Sequence, residues 1–470
     1  MFQWIKNISL SNYIIEILFT SLIISVPFGS HIFAVSIGFM TIYPFLILVG
    51  ILTILGFFHI RLISSKIEIF FLLFLLFWLL YAIGLSFISG FNEDAIIDIR
   101  SLLMMCLTSW VIIWTKSKLG NIRWQSVLGF SLKIVFFLLL FFSLFEFVSG
   151  IHFEGSFTNQ MLLDSSGSIN YAPIFLYDNA NNVVAHMLIC SALILLLEKN
   201  LKSKPIFIAF LLIVDLFIAV ITSARIGTFI SVTSIILTIL NYAPSIYSWA
   251  KAELNRSKVI YIVITIVVML LVFFKTDKYY GPYWVNQTEV VQSEAVNVES
   301  PTGTEIVEVK TAPNKPLTKT EAENMNNDSL RLNYNSFKIR YGLLQNGIAF
   351  FRESNYLGIG PGQFRVKHKN GEIDYYTKTN ISPHAYIIEV LAQFGALITA
   401  LLLFLMCLLI YSNWKMNKDD KFKFGIFIIS LLLFVAASFL PSGFLILEFN
   451  WIFVATLVGV SSNNKKRNGA

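Results

Sequence analysis

Apolar residues run along this chain in blocks of about 18–25, separated by short polar connections. Each block can cross a hydrocarbon layer of roughly 30 Å as a helix rising about 1.5 Å per residue. The pattern predicts an all-α polytopic membrane protein with about 12 transmembrane helices. Their expected limits are 10–28, 34–58, 67–89, 97–115, 125–149, 181–198, 205–222, 225–242, 258–275, 384–412, 423–440 and 444–461. The first block carries only Lys6 ahead of it and no small-residue cleavage site behind it, so it reads as a retained span.

Composition agrees. The chain is 56% hydrophobic and 13% charged, against about 25% charged for a soluble domain. A water-soluble enzyme, a secreted disulfide scaffold and a disordered protein are all excluded. Cys106, Cys190 and Cys407 lie singly in apolar blocks, without the spacing of a disulfide framework or a zinc site. The net charge of +7 follows from the connections. Lys6, Arg61, Lys116, Arg123, Lys199, Lys251, Lys415 and Lys465 fall on alternate connections. Those between them, such as 90–96 and 150–180, carry acids and no cation. The positive-inside rule then puts both termini in the cytoplasm and gives no reason to expect nucleic-acid binding.

One connection is far longer than the rest. The expected organisation is spans one to nine over 1–275, an extracytoplasmic loop over 276–383, spans ten to twelve over 384–461 and a cytoplasmic tail over 462–470. Within the loop, 286–328 is polar, acidic and free of aromatics, as in a flexible insertion. The following stretch is basic, and Phe337, Tyr341, Leu344, Ile348 and Phe351 recur at helical spacing. An amphipathic helix is expected over 331–352, with Arg340 and Arg352 flanking its stripe. It can lie in the lipid interface with its arginines at the headgroups, and spacing alone leaves that open.

Candidate chemistry gathers at the outer side. Arg225, in the tight turn TSARIG, can snorkel to headgroups or bind phosphate or carboxylate through its planar fork. His384 follows Pro383 at the start of span ten, where a helix N-terminus favours neutral imidazole. Such a histidine can be structural or act as a general base. Glu389 lies further into that span. The run YDNANNVVAH, with Asp178, Asn179, Asn181, Asn182 and His186, can cap a helix or bind sugar hydroxyls. Gly358, Gly360 and Gly362 in LGIGPGQF suit tight turns and close backbone approach; a dinucleotide fingerprint would need a strand before them and a helix after. Lys133 is near enough to the cytoplasmic end to snorkel, and Asp215 calls for a partner on another span. No P-loop, HExxH or nucleophile elbow is present, and no metal site is expected.

The run KIRYGLLQNGIAFFRESNYLGIGPGQF, Lys338 to Phe364, resembles the signature of the O-antigen ligase and Wzy-type polysaccharide polymerase superfamily. That signature has an Arg and, about 18 residues on, a Gly-x-Gly-x-Gly turn; Arg340 and Gly358 match. His384 with Gly395, the Ser223–Arg225–Gly227 turn and the Asn-rich start of span six match further parts. The chain departs in having His384-Ala385 where the family often has His-Asn. The resemblance implies glycan transfer from undecaprenyl diphosphate to an acceptor sugar hydroxyl, at the outer face of the bacterial cytoplasmic membrane, without metal or other cofactor. It implies that Arg225 and Arg340 hold the diphosphate and that His384 takes the acceptor proton or orients that hydroxyl. Arg331, Arg352, Asn179, Asn181, Gly358, Gly360 and Glu389 are then expected at the substrate-binding surface. The preferred reading is a polymerase acting on a lipid-linked glycan acceptor. A ligase transferring finished chains to lipid A core is the alternative, and a lipid-linked oligosaccharide flippase the alternative of another class.

Overall fold

The computed structural model describes residues 12–29, 35–37, 40–58, 63, 65–154, 158–160, 173–175, 180–198, 201–222, 227–239, 241, 318–320, 336–377, 385–440 and 448–462. The expected span at 258–275, the flexible insertion over most of its length and the tail from 463 lie outside them. In chain order the helices are α1 (Asn12–Ser25), α2 (Pro44–Phe57), α3 (Lys66–Ser89), α4 (Glu93–Leu119), α5 (Asn121–Ser149), α6 (Ala180–Leu197), α7 (Pro205–Ile221) and α8 (Gly227–Ile239). They continue with α9 (Ser336–Glu353), α10 (Gln363–Lys369), α11 (Tyr386–Met416), α12 (Lys421–Ala437) and α13 (Glu448–Ser461). Two small antiparallel hairpins interrupt the helices, β1 (Val35–Ile37) with β2 (Met40–Ile42) and β3 (His152–Glu154) with β4 (Thr158–Gln160). By length and composition α3, α4, α5 and α11 can cross a membrane, and α1, α2, α6, α7, α8 and α13 are shorter apolar helices.

Three departures from the expected limits have local causes. The expected span 34–58 begins as the β1–β2 hairpin, and its helix starts only at Pro44, whose fixed φ suits a first turn. α4 begins at Glu93, not 97, because the Asn92 side chain accepts from Ala95 N at 2.8 Å. The acidic connection is thereby drawn into a helical first turn holding Glu93 and Asp94. α11 is not continuous: Gly395 takes φ +74, ψ −170 and breaks it after nine residues.

The helices enclose one large apolar core, with Trp78, Trp114, Trp124, Phe19 and Phe136 among its fully buried members. α12 packs on α6, α13 on α4, and α3 on α4. At the end away from α9, cations are paired. Lys116 Nζ and Glu68 Oε1 meet at 2.6 Å with both side chains fully buried, and Ser462 Oγ donates to the same carboxylate at 2.5 Å. Arg123 Nη2 reaches Glu16 Oε2 at 2.8 Å. Lys133, which needed only to snorkel, instead shares Glu198 with Lys204. Asp215 finds its partner on the neighbouring helix, where Ser191 Oγ donates to Oδ1 at 3.0 Å.

Candidate functional site

At the other end of the bundle, α9, the glycine turn, α10 and the first half of α11 form a wedge around a small core of Leu343, Phe350, Phe364 and Ala392. The face of α9 turned inward is Gly342, Leu343, Asn346, Gly347 and Phe350. The apolar stripe read from the sequence lies one position round: Tyr341 is exposed, while Leu344, Ile348 and Phe351 are half-buried. Glycine decides this. A Cβ on Gly347 would stand 2.6 Å from Ile388 Cγ2, so α9 and α11 touch where no larger residue fits. Asn346 completes the inner face. It donates to Tyr375 O and accepts from Tyr375 N, both at 2.9 Å, and its Nδ2 lies 3.2 Å from His368 Nε2. His368 Nδ1 lies 2.9 Å from Phe364 O, so the neutral tautomer with Nδ1–H satisfies both contacts. Burial pushes the His368 imidazole below its usual pKa, against the opposing pull of the Phe364 carbonyl.

The glycine turn fills the break in α11. Ile359 N donates to Ala392 O at 2.9 Å and Gly360 N to Gln393 O at 3.0 Å, carbonyls next to the break. In return Ala396 N donates to Tyr356 O at 2.9 Å. A Cβ on Gly358 would stand 2.6 Å from Gln393 O, and one on Gly395 would run into the Tyr356 and Leu357 backbone. Gly358 and Gly360, expected at the substrate surface, are buried here with their N–H groups bonded to Ser354 Oγ and Gln393 O.

Charged groups anchor the wedge to α4. Arg365 donates from Nε to Asp94 Oδ1 at 2.9 Å and from Nη2 to Asp98 Oδ1 at 2.7 Å. Gly362 N meets Asp98 Oδ2 at 2.8 Å and Gln393 Oε1 at 2.6 Å, and Lys369 Nζ reaches Asp94 Oδ2 at 2.7 Å. Burial acts to lower the Arg365 pKa, but Asp98 and Asp94 hold it above its usual value. Asp94, Asp98, Arg365, Gln393, Asn346 and His368 were not singled out from sequence. Only Asn92-Glu93-Asp94 carried a local signal, that of a helix start.

Arg340 is different. Its Nη1 donates to Phe439 O at 3.2 Å, just past the end of α12, and it has no ion pair among the described residues. Half-buried without a carboxylate, its guanidinium is pulled below the usual pKa by burial; arginine starts so high that it keeps its charge. Arg352 is exposed and likewise has no ion pair among the described residues. Glu389 is buried in the first turn of α11, and Asn181 is half-buried in the first turn of α6. Arg225, His384, Arg331 and Asn179 lie outside the described residues. Tyr386, two residues after His384, lines a cavity with Trp78, Ser109, Asn450 and Trp451. Among the described residues no three histidine, cysteine or carboxylate groups gather as a metal would require.

An apolar helical bundle, capped at one end by a wedge in which one arginine has no ion pair among the described residues, has the features of a membrane protein. Residues 207–403 match the O-Antigen ligase family model (Wzy_C), a stretch that holds Arg225, Arg340, His384 and Gly395. The match is consistent with the O-antigen ligase and Wzy-type superfamily, a family of glycosyltransferase-like ligases and polymerases. No curated protein matches the chain.

Proposed function

We propose that the chain moves a glycan from undecaprenyl diphosphate to an acceptor sugar hydroxyl, as a Wzy-type polysaccharide polymerase. In this reading about twelve helices cross the bacterial cytoplasmic membrane, both termini are cytoplasmic and the wedge faces outward. The observation that supports it best is Arg340, a half-buried guanidinium with one backbone carbonyl as partner and no carboxylate among the described residues. Its remaining N–H groups suit bidentate contact with a phosphate.

The transfer needs few parts. The acceptor oxygen attacks the anomeric carbon as the bond from that carbon to the diphosphate oxygen breaks. The bonding pair leaves with the diphosphate, and Arg340 with Arg225 stabilises the charge that grows there. His384 takes the acceptor proton on its free ring nitrogen. This chemistry places the wedge over the diphosphate at the membrane surface, with the lipid tail among the apolar helices.

Reconstitution with a lipid-diphosphate repeat unit tests the reading. A ladder of lengthened products supports polymerase. Single transfer to an added lipid A core acceptor moves the assignment to ligase, and movement of the lipid across the bilayer without new bonds overturns both. His384→Ala is expected to abolish transfer while donor binding persists; full activity would remove it from the site.

A further inference from the structure

The turn between α9 and α10 sits far below the end of the bundle that it caps. Tyr81 Oη donates to Leu357 O at 2.8 Å. Tyr81 is eight residues before the end of α3 at Ser89, so this contact lies about 12 Å down the helix at 1.5 Å per residue. α11 gives a second measure. Ala396 N meets Tyr356 O ten residues from the start of α11, about 15 Å along it, and Ile359 N meets Ala392 O at about 9 Å. Gly362 then packs on the backbone of Asp94 and Ala95, in the first turn of α4. The chain therefore dips to Tyr356–Leu357 and climbs back out.

Two further observations say what surrounds the tip. Every backbone N–H from Tyr356 to Gly360 has an acceptor within the protein: Phe351 O, Ser354 O, Ser354 Oγ, Ala392 O and Gln393 O. Non-helical backbone survives at membrane depth only when satisfied in this way. The side chains do the opposite. Tyr356 is 59% and Leu357 60% exposed; Leu80, next to Tyr81 in α3, and Leu397, next to Ala396 in α11, are 58% and 50% exposed. Exposed Phe87 and Ile88 carry this apolar surface up to the last turn of α3. Tyr356 is also held at φ +68, a conformation that persists only where its surroundings enforce it.

We propose that residues 354–360 form a re-entrant tip whose Tyr356 and Leu357 side chains lie among the lipid acyl chains of one leaflet. The depths along the two helices, about 12 Å on α3 and about 9–15 Å on α11, fall within the half-thickness of the hydrocarbon core, about 15 Å. The partner is bulk bilayer lipid, because the exposed residues continue the lipid-facing sides of α3 and α11. The proposal requires that α3 and α11 cross the membrane and does not depend on the transfer reaction.

A spin label tests it in the full chain, with Cys106, Cys190 and Cys407 replaced by alanine and the protein reconstituted in phosphatidylcholine–phosphatidylglycerol bilayers. Leu357→Cys should relax faster with oxygen than with a water-soluble nickel chelate, as Leu80→Cys should. Glu353→Cys, exposed four residues earlier, should show the reverse order. A Leu357 label as open to the chelate as the Glu353 label overturns the proposal. Tyr356→Cys gives the same reading should the leucine variant fail to fold. A lipid-shielded tip in a chain inactive in transfer would leave this proposal standing while the transfer reading fell, and a wet tip in an active one the converse.

Discussion

Arg365 and Arg340 belong to the same wedge and live in opposite electrostatic conditions. Arg365 is clamped between Asp94 and Asp98, with Lys369 on the same aspartate. Arg340 faces a backbone carbonyl and has no ion pair among the described residues. Both are partly buried. A buried cation whose charge is matched by fixed carboxylates is a fastener, since its donors are spent. One left unmatched near the surface keeps its donors for something not built into the chain. On the proposed function, the two arginines divide the wedge into a part that holds and a part that binds.

The comparison can be broken at either side. Arg365→Leu should have the largest effect. It strands Asp98, buried on α4, and removing one partner of a buried pair costs about 3–5 kcal/mol. Thermal unfolding in detergent should show a large fall in midpoint, and Arg365→Leu combined with Asp98→Leu should recover much of it. Arg340→Lys should leave that midpoint unchanged and cut transfer on the order of 10²-fold, because an ammonium has no planar fork for a phosphate. A large stability loss at Arg340, or undiminished transfer, would erase the distinction between the two. Gly395→Ala comes next. The new Cβ meets the Leu357 backbone, and its φ of +74 is disfavoured, so at least about 2 kcal/mol should be lost. Transfer in the fraction that stays folded should fall less than in Arg340→Lys.

Much of this was legible in the sequence, and the remainder was hidden for physical reasons. The long apolar blocks gave α3, α6 and α7 within a residue of their expected limits, since a continuous apolar run bounded by polar residues is read directly as a helix. The motif from Arg340 to Gly358 led to the family found over 207–403. The Asp98–Arg365 contact joins positions 267 apart in the chain and has no period or spacing to read. The true inner face of α9 was masked because glycine and asparagine, not apolar residues, make its closest contacts. The break in α11 at Gly395 sits in an apolar run that reads as continuous helix until the glycine turn is seen filling it.

The smallest expected effect is one of pH, and it sharpens the fastening side of the comparison. His368 rides on α10 three residues after Arg365 and sits neutral between Asn346 and the Phe364 carbonyl, stacked on the Phe364 ring at 4.6 Å. Burial holds its pKa below that of a free imidazole, so on acidification the unfolded chain takes up a proton before the folded one. This contribution to stability is full above roughly pH 6.5, declines below it, and is fully lost only once pH has fallen past the folded-state pKa. Unfolding midpoints measured from pH 7.5 to 5 should fall in the native chain and fall less steeply in His368→Gln, which cannot take the proton. Arg340→Lys should keep the native slope, because Arg340 and its carbonyl partner do not titrate in that range. Equal slopes in the native chain and His368→Gln would mean that the wedge is fastened by its ion pairs alone.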